Sequence, residues 1–282
     1  ASNLDEFFMV RIANIMDKIE DEPKDEDASG FLPKQLLNTL SEKIHKFVEK
    51  QYTCLHRSIV PALKKEKIVF LKWSDLNDSQ RMYVEDYFEK VLFPVLTPLA
   101  VDESRPFPLL ANRSLNIAVE LEKDEKLNFG IVQVPSILRR YFEVPSDDER
   151  CYILLEDIIQ NQLERLFELH DIKSSCTFRV TRDSDIEIDE DAENLLTEME
   201  KSIKRRKRGE LVRLEIDDNS TKAIAEFLSD TLKVSKKEIY EVDAPIDLTF
   251  LSKFAGEDWD DNLKFPSLTP VNPPADFVGY SD

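Results

Sequence analysis

The stretch Leu115-Asn116-Ile117-Ala118-Val119-Glu120-Leu121 alternates apolar and polar residues, so it is predicted to be a β-strand with one buried face. Outward from it the same reasoning finds further short strands at Phe129–Val134, Tyr152–Leu155, Cys176–Thr181, Leu211–Ile216 and Ile239–Val242. Between them the apolar spacing changes to the helical period. Ile158, Ile159, Leu163, Leu166 and Phe167 mark one helix, Ala192–Arg206 a second, and Ile224, Phe227 and Leu228 a third. Helices interleaved with strands in this way imply a mixed sheet with helices packed on it.

Upstream of Leu96 the expected texture is helical. Leu4, Phe7, Phe8, Arg11, Ile12, Ile15 and Ile19 form one stripe, and an acidic loop from Asp21 to Gly30 follows. A long helix is expected from about Pro33, with Leu36, Leu37, Leu40, Ile44, Phe47, Val48, Leu55 and Ile59 at the helical spacing. Pro33 suits a first helical turn, where its missing N–H removes nothing. A third helix is expected over Asp78–Leu92, stopped by Pro94. The expected fold class is α+β: an antiparallel helical domain over residues 1–95, a mixed-sheet α/β head domain over 96–262, and a proline-rich linker over 263–282. Ala1 is not a start methionine, and a helical pattern is already running at Leu4. Both ends therefore read as cut from a longer chain.

Of the 282 residues 41% are hydrophobic and 34% charged, enough for a folded core, and the formal net charge is −19. That field disfavours nucleic acid and anionic membranes. A polyanionic ligand would need a local basic site. Cys54, Cys151 and Cys176 form no paired motif, which fits a reducing, cytoplasmic compartment. No stretch is long and apolar enough to span a membrane, and no signal peptide opens the chain.

Familiar catalytic devices are missing. The five glycines form no phosphate-cradling loop, and no nucleophile elbow occurs. His45, His56 and His170 show no metal-ligand spacing and read as structural or solvent-facing. Cys54 and His56, two apart on a helix, point away from each other. The run Asp183, Asp185, Glu187, Asp189 imitates a calcium loop but has Ile188 where glycine is needed and Asn194 where a bidentate glutamate is needed. Asp189, Glu190 and Asp191 instead suit the positive end of a following helix. The dense basic run Lys201, Lys204, Arg205, Arg206, Lys207, Arg208 suits a helix carboxyl end, with a polyanion contact as the competing reading.

The opening string Ala1-Ser-Asn-Leu-Asp-Glu-Phe-Phe-Met-Val-Arg11 reads locally as a capped helix start, with Ser2 or Asn3 as the cap and Glu6 completing a capping box. It also resembles the amino-terminal signature of the polyphosphate kinase family. Further segments similar to that family follow in the same order: Val91–Ala100, Arg105–Asn112, Ser114–Val119, Gln133–Pro135, Phe178–Asp183 with Asp185, Ile186, Glu187 and Ile188, and Val212–Glu215. Any one is weak, but the ordered series over nearly the whole chain is strong.

The resemblance implies an enzyme that reversibly transfers the terminal phosphate of ATP to polyphosphate through a phosphohistidine, with magnesium. It implies a helical domain, a head domain and two carboxyl-terminal catalytic domains that would hold the histidine and the Mg2+ ligands. No catalytic or metal-binding residue is therefore assigned to this chain, and by itself it is expected to be inactive. The resemblance also implies a further helix before Ser2, so the helical domain would be incomplete at its start. One site position carries over: Asn3, as an ATP-binding residue. A carboxamide can donate and accept at once, as an adenine edge requires. Arg179 and Arg182 are read as alternating on one strand face, facing a polyphosphate path or pairing with nearby carboxylates. Arg105 is read as structural. The partners implied are ATP or ADP, polyphosphate and further copies of the chain in a homo-oligomer. The alternative is a non-catalytic scaffolding protein that reuses the fold.

Overall fold

The computed structural model describes residues 1–21, 23–24, 26–27, 30–101, 107–124, 126–184 and 211–266. Two compact units divide the chain, Ala1–Leu248 and Thr249–Asp282.

The first unit opens with α1 (Ser2–Glu6), which runs through a π-helical turn at Phe7–Ile12 into α2 (Ala13–Asp21). The long helix starts at Pro33, as expected. It comprises α3 (Pro33–Cys54), a second π-turn at Leu55–Ile59, and α4 (Val60–Lys65). The π-turn ends two residues before Pro61, where the helical ladder must lose one N–H donor. α5 (Asp78–Tyr87) begins with a capping box, in which the Gln80 amide donates to Asn77 Oδ1 at 2.9 Å and the Asn77 amide to Gln80 Oε1 at 3.1 Å. A π-turn at Phe88–Leu92 and a 3-10 turn at Phe93–Val95, holding Pro94, end it.

The region before residue 95 is not wholly helical. β1 (Ile68–Leu71) pairs in parallel with β6 (Arg150–Leu154), which is antiparallel to β5 (Tyr141–Val144), giving a three-stranded sheet. The remaining strands are β2 (Pro98–Val101), β3 (Leu115–Lys123), β4 (Lys126–Gln133), β7 (Asp171–Arg182), β8 (Leu211–Asp217) and β9 (Ile239–Val242). They form a six-stranded sheet in the order β2-β4-β3-β7-β8-β9. Its pairings are antiparallel except β8–β9. The α+β class expected from the sequence is therefore present, as two sheets rather than one.

The larger sheet is covered on both faces, which corrects the one-sided burial inferred from the Leu115–Leu121 alternation. Ala118, Cys176, Phe178, Val180, Leu214 and Ile216 lie in an apolar core with Ile224 and Leu228 of α8 (Lys222–Leu232). Ile117, Val119 and Leu121, on the other face of β3, are also fully buried. On that side lie α6 (Leu155–Gln160), α7 (Leu163–Leu166) and the π-turn of the first helix. Gly130 lets the Phe167 ring approach: a Cβ there would lie 2.7 Å from Phe167 Cζ and 3.1 Å from Leu121 Cδ1.

The unit beginning at Thr249 contains α9 (Phe250–Ala255). In it the Trp259 ring packs on Phe254 at 4.8 Å, and its Nε1 donates to the Phe254 carbonyl at 2.6 Å. Among the described residues no helix is long and apolar enough to cross a membrane.

Candidate functional site

The opening string folds as a helix, but its start differs from the capping box expected of Ser2, Asn3 and Glu6. Ala1 is the N-cap, its carbonyl accepting from the Leu4 and Asp5 amides, and α1 has no side-chain cap hydrogen bond. Ser2 and Asn3 lie inside the first turn, which removes the geometry a cap needs, since a cap residue stands outside the helix. Asn3 is exposed, and its carboxamide has no partner among the described residues.

Asp5 behaves in the opposite way. It is 3% exposed and alone among Ser2–Glu6 in being buried. Arg179 of β7 donates to both its oxygens, Nη1 to Oδ1 at 3.0 Å and Nη2 to Oδ2 at 2.6 Å. Arg213 of β8 adds a third bond from Nη2 to Oδ1 at 2.5 Å. Two-point pairing of this kind is among the strongest polar contacts proteins make. Burial pushes the Asp5 carboxyl up, but the hydrogen bonds and charges of Arg179 and Arg213 outweigh it and hold it below its ordinary value. One turn on, Phe8 lies 4.5 Å from the Arg213 guanidinium and edge-on to Tyr240 at 5.5 Å. The spacing of three between Asp5 and Phe8 places both on one helix face, and both rest on Arg213.

The ion network extends further. Arg179 Nη1 donates to Glu215 Oε2 at 2.8 Å, and its Nη2 lies 3.7 Å from Asp247 Oδ1. Arg140 donates to the Asp247 carbonyl at 2.6 Å and pairs with Glu156 at 2.6 Å. Three guanidinium groups thus meet four carboxylates in a largely buried strip. Burial would lower the Arg179 pKa, but the bond to Asp5 and the Glu215 and Asp247 charges hold it above its usual value. Tyr52 of α3 borders the strip and donates to the Pro245 carbonyl at 3.2 Å. The recess among these groups measures about 10 Å3, room for one water at most. It cannot enclose a nucleotide.

Of the two readings of Arg179, the structure displays pairing with carboxylates: its side chain is 3% exposed, and its Nε donates to the Arg113 carbonyl at 3.3 Å. Arg182 is not on the same face, which corrects the sequence reading. Residues three apart on a strand point oppositely, and Arg182 Nε donates to the carbonyl of Leu110, which belongs to the apolar core with Phe178 and Val180. Burial lowers the Arg182 pKa. The structure thus brings Asn3 and Arg179 to one region, through Asp5, and leaves Arg182 outside it.

Arg213, Glu215 and Asp247 carried no assigned role in the sequence. The available signal was Leu211-Val-Arg-Leu-Glu-Ile216, a strand whose charged residues alternate with apolar ones although both faces are buried. His45 stacks on Tyr240 at 4.0 Å, His56 pairs with Asp243 at 3.4 Å, and His170 lies edge-on to Phe167. Arg105, Asp185–Asp191, Asn194 and the basic run of Lys201–Arg208 lie outside the described residues, as does the expected helix over Ala192–Arg206.

Residues 1–71 match the model of the polyphosphate kinase N-terminal domain, and residues 79–254 that of the polyphosphate kinase middle domain. The chain belongs to the polyphosphate kinase family. A polyphosphate kinase of Halalkalibacterium halodurans is 41% identical over 292 aligned residues, covering 100% of this chain and 41% of the relative. One from Exiguobacterium sibiricum is 41% identical over 285, covering 98% and 39%. The crystal structure of polyphosphate kinase from Porphyromonas gingivalis is similar in fold, with a TM-score of 0.74 at 20% identity, over 100% of this chain and 39% of that one. The chain thus spans about two fifths of the length of the polyphosphate kinases it matches.

Proposed function

We propose that this chain is the part of a polyphosphate kinase that supplies one wall of its nucleotide site, with Asn3 reading the base of ATP. The whole enzyme, in this reading, reversibly moves the terminal phosphate of ATP onto polyphosphate through a phosphohistidine, with magnesium, in the cytoplasm and as a homo-oligomer. The observation that carries the Asn3 role is its exposed, unpartnered carboxamide on a turn whose opposite side is clamped to the sheet. A carboxamide held so can complete a donor–acceptor pair with an adenine edge.

The described residues contain no group of three or more His, Cys, Asp or Glu side chains suited to a metal. Phosphoryl transfer depends on positioned cations around the transferring group. The described ion strip has more carboxylates than guanidinium groups, a poor setting for that work. These 282 residues alone are accordingly expected to make no polyphosphate.

The test is a synthesis assay with labelled ATP and magnesium on this chain and on a full-length enzyme carrying it, with Asn3→Ala in the latter. Polymer from the full-length enzyme alone, with a raised KM for ATP in the variant, is the expected result. Polymer made by the 282-residue chain, or an unchanged KM in Asn3→Ala, would overturn the corresponding half of the proposal.

A further inference from the structure

The first helical turn has two sides with opposite chemistry, and one is held by a single side chain. Residues two apart on an α-helix are separated by about 200° around its axis. Asp5 faces the sheet, so Asn3 faces away from it. Among the described residues of Ser2–Glu6 only Asp5 is buried, and the next buried anchor is Phe8, a turn further on. No side-chain cap bond steadies the start of the helix. Within this turn the Asn3 carboxamide is therefore held in direction by the three hydrogen bonds that Asp5 accepts from Arg179 and Arg213, while Phe8, Ile12 and the Ser184–Met9 bonds hold the turns that follow.

Those two arginines are themselves fixed. Arg179 holds the Arg113 carbonyl and Glu215, while Arg213 donates from Nε and Nη2 to Thr181 Oγ1 at 3.1 and 2.9 Å and packs against the Phe8 ring. Their strands pair directly, with Arg179 opposite Glu215 and Thr181 opposite Arg213. A ligand-contacting group supported by rotamer-locked neighbours on rigid strands is preorganised, so binding need not order it.

We propose that Asp5 is a positioning residue for the nucleotide: through Arg179 and Arg213 it orients the turn that presents Asn3. This rests on the reading of Asn3 given above. Asp5 does not touch the ligand. Its loss acts on binding through Asn3 and leaves the chemical step alone, so the effect falls on KM for ATP and not on kcat.

The experiment uses the full-length enzyme with four variants: Asn3→Ala, Asp5→Asn, the double variant, and Leu228→Ala as a destabilised control on the opposite face of the sheet. Losing one correctly placed hydrogen-bonding contact corresponds to about tenfold in KM. Asp5→Asn is expected to raise KM for ATP about as much as Asn3→Ala, with kcat within about twofold. The double variant is expected to be no worse than either single one, because both remove the same contact. Leu228→Ala should lower the melting temperature yet leave KM unchanged.

If Asn3→Ala raises KM and Asp5→Asn does not, positioning by Asp5 is overturned and the Asn3 reading stands. Independent, multiplying effects in the double variant, or a raised KM in Leu228→Ala, also overturn it. If Asn3→Ala leaves KM unchanged, the nucleotide reading fails and takes the positioning proposal with it. Should Asp5→Asn not fold in the full-length enzyme, Arg213→Lys, which keeps the charge but shifts the donor, serves the same cycle with the same outcomes. Amide exchange over residues 4–7 of the 282-residue chain, the first amides with a helical acceptor, reads how firmly the turn is held. Asp5→Asn is expected to speed it about tenfold, and unchanged protection there would overturn the proposal.

Discussion

The two faces of the six-stranded sheet are built from the same strands on different physical principles. Toward α8, Phe178, Leu214 and Ile216 meet Ile224 and Leu228 in an apolar layer. Toward α1, Arg179 and Arg213, alternating with those same residues and paired with Glu215, meet Asp5, and Arg213 also meets Phe8. The apolar layer gains from area removed from water and is tolerant of shape-conserving change. The ionic layer gains little in net energy over an apolar equivalent, because desolvation opposes the attraction, but it is intolerant of losing one partner. A layer of the second kind enforces one arrangement of the first helix over the sheet.

Removing one guanidinium should show that intolerance most strongly. In Arg213→Met the volume is roughly kept, but Asp5 and Glu215 lose a shared buried partner. The expected loss is about 3–5 kcal/mol in denaturant unfolding. A loss below about 1 kcal/mol would place the ionic layer on the same footing as the apolar one. On the opposite face Leu228→Ala should cost about 2–4 kcal/mol through lost burial and the cavity left behind. Unlike Arg213→Met, that cost should be nearly independent of pH between 4 and 8, since no titrating group changes its surroundings. A strong pH dependence would mean that the two layers are coupled through the strands.

How much of this could be read from the sequence differs between the layers in the same way. The apolar layer was legible, since Leu211–Ile216 and Ile239–Val242 carry strand periodicity and the observed β8 and β9 cover them. β1, β2 and β5 were missed: each has four residues, a run whose periodicity does not separate strand from helix or loop, and the equally short β9 was read as a strand on no stronger a signal. The ionic layer was legible only as isolated parts. Asp5 and Arg213 are separated by 208 positions, and no local spacing says that two such charges meet. Burial on both faces of β3 was hidden for a related reason: Asn116 and Glu120 look like a solvent face, yet Asn116 is fully buried. The capping reading of Asn3 failed because Ser2 and Asn3 can either cap a helix or lie in its first turn, and the choice depends on where Asp5 must reach.

A third site, Gly130 on β4, lies where the face covered by α6 and α7 is apolar. A methyl at Gly130 would meet the buried Phe167 ring at 2.7 and 2.9 Å. Gly130→Ala is therefore expected to cost about 1–3 kcal/mol by overpacking. Pairing it with Phe167→Leu should recover part of that loss. No recovery in the double variant would mean that strand geometry, and not the ring, requires the glycine.

The smallest effect expected sets Asp157 against Asp5, two carboxyls whose surroundings push them in opposite directions. Asp157 on α6 accepts from the Trp73 amide at 2.9 Å, but burial, with Glu156 and Asp75 close by, raises its pKa to about 6. Its folded state thus binds a proton more tightly than the unfolded chain, whose carboxyl titrates near its ordinary value. The stability this adds is fully present below that ordinary value and is lost as the pH rises through about 6. Asp5, held low by its arginines, has the reverse sign: its contribution is present above the ordinary carboxylate value and disappears as the pH falls through its lowered one. Asp157→Asn imitates the protonated form, so near pH 4 it should match the parent. At pH 7.5 it should exceed the parent by about 1 kcal/mol, a part of the shift being offset by the weaker bond to Trp73. Denaturant titrations at the two pH values measure this directly. Equal stability at both pH values would show that water reaches Asp157 freely and that its burial is not what opposes ionisation. A variant less stable than the parent at pH 7.5 would show that the charged bond to the Trp73 amide outweighs burial, giving Asp157 the same sign as Asp5.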